Sequence, residues 1–215
     1  MDAKMKGMIM SAMMALCLIL GAMSIFSDEW LTETETDETG MDVTTNVGLS
    51  NYVTTTEYAD SDTCEGVKAF YDGIAPDAEN ECDGAVFSST MAISDLCDMA
   101  KEANNGTADE DCESTASAGS TGSMIMWIGV LCSLVAALVL ILPMAGVDAM
   151  DKLPDMAKMI TSWGAGGLML LGVLVWYMML PDGDSSASTG LFMAIGAAIL
   201  GLGAPAMDKF MPADE

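Results

Sequence analysis

Hydrophobic positions in this chain gather into four blocks, roughly 7–26, 124–143, 159–180 and 190–206, and no Asp, Glu or Lys interrupts any of them. A bilayer core about 30 Å thick takes about 20 helical residues to cross. Each block is therefore expected to be a transmembrane helix. Small residues return every fourth position in the last block, at Gly190, Ala194 and Ala198, and Gly164, Gly167 and Gly172 thin the third. Such positions let helix backbones approach closely, within one bundle or between copies. Trp127, Trp163, Trp176 and Tyr177 fall near span ends, as interfacial anchors do.

The segment 28–122 has a different pattern. Between residues 30 and 58 it is rich in Thr, Val and Tyr, as in Asp42-Val-Thr-Thr-Asn-Val and Asn51-Tyr-Val-Thr-Thr-Thr-Glu-Tyr, broken near Gly48. That is strand composition with a turn or bulge. From Ala85 to about Ala103 the period changes to a helical one, with Val86, Thr90, Ile93, Cys97 and Ala100 on one face. One short amphipathic helix is expected there. Residues 104–122 are acidic, then rich in Ser, Gly and Thr, and read as a flexible tether into the second span. Three parts follow: 1–27 with the first span, 28–122 as a polar domain, and 123–215 with the other three spans.

The net charge of −25 alongside 52% hydrophobic residues reflects this division, since most acids lie in 28–113. The five lysines outside that segment, Lys4, Lys6, Lys152, Lys158 and Lys209, all fall on one side of an even-numbered topology. Positive residues beside short loops stay in the cytoplasm. Both termini and the 147–158 loop are thus expected in the cytoplasm, with 28–122 and the short 181–189 turn extracellular, at the plasma membrane. Lys4 and Lys6 ahead of an apolar run also fit a cleaved signal peptide. The run is long, however, no Ala-x-Ala site follows it, and cleavage would leave an odd number of spans. Retention as the first span is the expected outcome.

The chain has no His, Arg or Gln, so the usual general base at neutral pH and the bidentate phosphate clamp are missing. No Asp, Glu or Lys lies within the spans, where a carrier or proton pump would need one. Neither an enzyme nor a lone transporter is expected. Excess acid repels nucleic acid and concentrates cations, and a salty habitat would select the same surface without any binding site.

Four of the six cysteines, Cys64, Cys82, Cys97 and Cys112, lie in the segment expected to face an oxidising compartment. Two disulfides are the simple reading, with the sequential pairing favoured among three. A soft-metal site is the alternative, but no Cys-x-x-Cys pair and no His accompany them. Cys17 and Cys132 are expected to be buried small hydrophobes. Asp60, Asp62 and Glu65, and the pairs Asp109 with Asp111 and Asp182 with Asp184, have oxygen spacing that calcium uses, although a solvated acidic surface produces the same spacing. Calcium is the one cofactor the sequence suggests. Asn105-Gly-Thr107 is a glycosylation sequon. The 22 methionines raise Cu(I) binding, but Met8, Met10, Met13 and Met14 are scattered around the first helix, where Met also fills space.

The order of parts resembles the claudin and peripheral myelin protein superfamily: one span, a strand-rich loop, an amphipathic helix, then three spans with short connections. In that family a Trp follows the first span, then a Gly-Leu-Trp element and two bonded cysteines. Trp30 and Gly48-Leu49 match, and Cys64 and Cys82 stand as equivalents of the pair. Ser50 replaces the second Trp, two cysteines are added, and the loop is longer. The resemblance implies a left-handed four-transmembrane-helix bundle capped by a small external antiparallel β-sheet plus one short helix. It also implies a role in cell-surface contact, membrane organisation or service as an auxiliary subunit. The expected partners are the lipid bilayer and either further copies or a larger membrane complex, with no nucleic acid.

Overall fold

A computed structural model of the chain describes residues 3–36, 40–103, 106–107, 110–144, 154–181 and 185–210. Its elements run α1 (Ala3–Ile25), β1 (Leu31–Thr36), β2 (Asp42–Val47), β3 (Asn51–Glu57), α2 (Ser61–Ile74), β4 (Glu79–Asp83), β5 (Val86–Ala92), α3 (Ile93–Ala103), α4 (Glu110–Met144), α5 (Asp155–Met179), β6 (Ser186–Ala187) and α6 (Thr189–Phe210). They form two compact units. A helix unit holds 1–25, 121–176 and 192–215, and a sheet unit holds 26–120 and 177–191.

Four helices, Lys4–Ile25, Glu110–Leu142, Met156–Met179 and Thr189–Phe210, are long and apolar enough to span a membrane. Only 33 to 39% of their most apolar windows is buried within the protein. Ile19, Met23, Ile128, Leu131, Leu138, Leu171, Leu174, Phe192 and Ile199 face outward. Water would not tolerate so continuous an apolar surface, whereas hydrocarbon does. The chain is a multi-pass membrane protein.

Inside the helix unit the contacts run through small residues. A Cβ added at Gly201 of α6 would lie 2.6 Å from Gly166 N in α5 and 2.9 Å from Cys17 Sγ in α1. A Cβ at Gly166 would lie 2.6 Å from Ala198 O. Gly129 and Gly172 bring α4 and α5 together, with an added Cβ 3.2 Å from Met169 N and 3.1 Å from Gly122 O respectively. Ala194 and Ala198 are buried, as the four-residue spacing requires, but Gly190 belongs to the sheet unit. There its N–H donates to Glu29 O at 2.7 Å, and an added Cβ would lie 2.7 Å from Trp30 Cδ1. Of the glycines expected to thin the third span, only Gly172 makes a close approach; Gly167 has nothing within 4 Å of an added Cβ, and Gly164 has Cys132 Sγ at an ordinary 3.5 Å. Met10 and Met14 join Ala136, Ala137, Ala165 and Ala204 in one core cluster, while Met8 faces outward. Cys17 is buried and Cys132 half-buried.

The sheet unit carries a six-stranded antiparallel sheet in the order β4-β5-β3-β2-β1-β6. Trp30 and Leu49 are buried where β1 begins and where β2 turns into β3. The turn is tight because Gly48 lies against the Ser27 and Asp28 backbone, where an added Cβ would be 2.8 Å from Ser27 O. Gly119 of α4 packs directly on the Leu49 carbonyl, an approach only glycine permits.

Three expectations change here. Residues 86–92 form a strand, with α3 starting only at Ile93, because Val86, Phe87, Thr90 and neighbours find partners on both sides, in β3 and β4. Sheet pairing overrides a weak helical period. Two short helices accompany the sheet instead of one, since Ser61–Ile74 is also helical. The expected tether is helix from Glu110 onward: Glu110, Asp111 and Glu113 occupy its first turn, where carboxylates complement the helix dipole, and Cys112 is covalently held. The 181–189 turn also contributes, since Ser186 and Ala187 extend the sheet beside β1.

Candidate functional site

Because strand side chains alternate between faces, the register decides what each face presents. On one face Thr32, Thr34, Thr36, Thr44, Thr55, Ser88 and Thr90 line up across the sheet. Several of these side chains bond to one another or to their cross-strand neighbours: Thr34 Oγ1 is 3.2 Å from Thr44 Oγ1, Thr32 donates to Asn46 Oδ1 at 2.7 Å, and Thr36 donates to Asp42 Oδ1 at 2.7 Å.

The other face is apolar toward its β5 side. Phe87 opposes Thr56, Ser89 opposes Thr54, and Met91 opposes Tyr52, with Val43 beyond Thr56. Helices α2 and α3 flank this floor. Tyr71 and Ile74 of α2 and Leu96 and Met99 of α3 complete a groove of about 390 Å³. The Tyr71 ring packs on Phe87 with centroids 5.1 Å apart, and Phe70 meets Tyr71 edge-on at 5.9 Å. Phe70, Tyr71, Ile74 and Met99 remain exposed beside it, as Phe26, Tyr177 and Met178 are elsewhere in the unit. Among the described residues no side chain lining the groove is charged.

Two disulfides fix the flanking helices. Cys64 of α2 bonds Cys82 of β4, with Cα atoms 6.1 Å apart, and Cys97 of α3 bonds Cys112 of α4 at 5.6 Å. Asp72 adds a second tie between α2 and β4, accepting from Asn80 Nδ2 at 3.0 Å and from Lys68 Nζ at 3.1 Å. The Asn80 amide first, and then Lys68, hold the Asp72 carboxyl below its ordinary pKa. A chain-entropy account gives a cross-link about 15 residues apart a stabilisation of about 3 kcal/mol. Replacing Cys97 and Cys112 together by Ala is therefore expected to cost about 2–4 kcal/mol, measured by urea unfolding of the full chain in micelles.

Asp60, Asp62 and Glu65 do not converge. Asp60 caps α2, accepting the Thr63 N–H at 2.8 Å, while Asp62 and Glu65 lie exposed on the helix itself. Among the described residues no group of three His, Cys, Asp or Glu side chains could hold a metal ion. Asn105, Asp109, Asp182 and Asp184 lie outside the described residues. The Thr63 backbone N–H, followed by the Thr63 side chain, lowers the Asp60 pKa. A carboxyl whose pKa falls on folding stabilises the native state above its unfolded pKa, and this contribution fades as pH drops through the lowered value. Asp60→Ala should lower the melting temperature at pH 7, with the difference from the parent shrinking on acidification; a constant difference would assign the effect to something other than the cap charge.

Neither sheet edge invites another strand. Glu79, Glu81 and Asp83 line β4, and β6 covers only Leu31 and Thr32 of β1, leaving Glu33 and Glu35 along the rest. Edge charges of this kind oppose strand addition. The groove gives the unit a concave apolar surface apart from these edges. No family model matches this chain, and no curated protein matches it. The four membrane-length helices among the described residues and the sheet define it as a multi-pass membrane protein with a disulfide-tied β unit.

Proposed function

We propose that this is a non-enzymatic, structural or adhesive protein of the plasma membrane that organises its surroundings by binding further copies through the sheet unit. Both termini are cytoplasmic and the sheet unit is extracellular, a topology supported by the lysine distribution and by the need of two disulfides for an oxidising compartment. The claudin-like arrangement is part of the same proposal, with Trp30, Leu49 and the Cys64–Cys82 pair as the residues that support it.

The observation that carries the reading is the groove: an uncharged, aromatic and methionine-lined surface on an acidic unit, flanked by cross-linked helices. Exposed apolar patches rimmed by polar residues mark contact sites. Like-charged copies repel, and salt screens that repulsion over about 8 Å at physiological ionic strength. The test is the mass of the full chain in mild detergent, measured by light scattering. More than one copy per particle is expected, increasing with salt and lost in Ile74→Asp with Met99→Asp. A single copy under all conditions overturns the proposal, and co-purification of a stoichiometric foreign protein would replace it with an auxiliary-subunit role.

A further inference from the structure

A second cavity, of about 470 Å³, lies within the helix unit and is lined by all four spanning helices. It opens where α1 and α5 begin and α4 and α6 end, the level at which a span meets the membrane surface. Met14, Val139, Leu140 and Met159 give it apolar walls. Among the described residues its charged groups are Lys158, Asp208 and Lys209.

These charges do not cancel. Asp208 is paired with Lys6, whose Nζ lies 3.0 Å from Asp208 Oδ1 and donates to the Asp208 carbonyl at 3.1 Å. Lys6 is 8% exposed, so this pair is built into the helix ends. Lys158 makes no ion pair among the described residues, and Lys209 lies over the Phe210 ring at 5.8 Å. The neighbouring hydroxyls are already engaged: Thr161 donates to Ala157 O at 2.9 Å and Ser162 to Met159 O at 3.1 Å. Two ammonium groups remain beside the apolar walls of the cavity.

We propose that this cavity binds an anionic membrane lipid, its hydrocarbon chain along Met14, Val139, Leu140 and Met159 and its phosphate at Lys158 and Lys209. Lysines at this level attract anionic headgroups, and basic pockets between spanning helices are where such headgroups lodge. A zwitterionic lipid would offer the same chain but gain less from the two ammonium groups, and free phosphate would gain the charge but leave the apolar wall unfilled. The site is independent of what the sheet unit contacts.

The test titrates the full chain in mild detergent with phosphatidylglycerol, phosphatidylcholine of the same chain length, or inorganic phosphate, counting bound molecules by native mass spectrometry. Phosphatidylglycerol is expected to bind about 10- to 30-fold tighter than phosphatidylcholine, as two lysines near a headgroup imply. Lys158→Gln with Lys209→Gln should abolish that preference and leave phosphatidylcholine binding unchanged. Val139→Phe, which fills the apolar wall without touching charge, should weaken both lipids. Equal affinity for the two lipids, a preference that survives loss of both lysines, or displacement of the lipid by equimolar inorganic phosphate would each overturn the proposal.

Discussion

Replacing Trp30 by Ala is expected to destabilise the sheet unit by about 3–5 kcal/mol, the range for deleting a large buried aromatic side chain. Trp30 is fully buried, and its backbone is held on both sides: its N–H donates to Val47 O at 2.9 Å, and its carbonyl accepts from Ser188 N at 3.0 Å. Those bonds prevent the chain from collapsing into the space the indole vacates. The Gly190 backbone, which already lies against the ring, cannot fill it either. A loss of this size is a large part of the 5–15 kcal/mol that typically holds a domain folded. The change should appear as a drop in urea midpoint for the full chain in micelles. Phe70→Ala supplies the contrast, because Phe70 is 63% exposed and its removal should alter stability by less than about 0.5 kcal/mol. Equal effects from the two substitutions would show that Trp30 does not anchor the unit.

The membrane-length helices were legible because the signal is local: an apolar block is long enough or it is not. The strands of 31–57 were legible for a similar reason, through β-branched and aromatic composition. Helix α2 escaped although its signals are present. Asp60 is a capping residue, and Cys64, Val67 and Tyr71 return at helical spacing, but Gly66, Gly73 and the acids dilute the pattern. Strand β4, Glu79-Asn-Glu-Cys-Asp, could not be read at all. Its strand state comes from pairing with β5 and from the Cys64–Cys82 bond, both non-local. The groove was illegible for the same reason. It exists only because the register places Phe87, Met91, Tyr52 and Val43 on one face and because two helices, one of them unforeseen, flank it. Asp60 reads alike as an ion ligand and as a helix cap because both use the same residue type, and in the structure it caps α2.

Small-residue spacing identified a packing face on α6 but could not say which glycine meets which neighbour, and that distinction has a sharp consequence. Gly166 and Gly167 are adjacent in α5, yet substitutions at them are expected to act with opposite sign. Alanine favours a helix over glycine by about 1 kcal/mol. At Gly167 an added Cβ meets nothing within 4 Å, so Gly167→Ala should stabilise by up to about that amount. At Gly166 the same methyl would lie 2.6 Å from both the Ala198 carbonyl oxygen and the Gly201 carbonyl carbon. Those atoms are helical backbone and cannot rotate away as a side chain would. The helices α5 and α6 must separate, and because Gly201 also abuts Cys17 of α1, a shift of α6 disturbs a third helix. Overpacking of this kind costs about 1–3 kcal/mol, enough to outweigh the helix preference. Gly166→Leu, with a larger side chain at the same contact, should exceed that range or prevent assembly of the bundle. Thermal unfolding of the three variants in one detergent measures the difference directly. If Gly166→Ala melted at or above the parent temperature, the close crossing of α5 and α6 would be wrong, and with it the packing role assigned to Ala198 and Gly201.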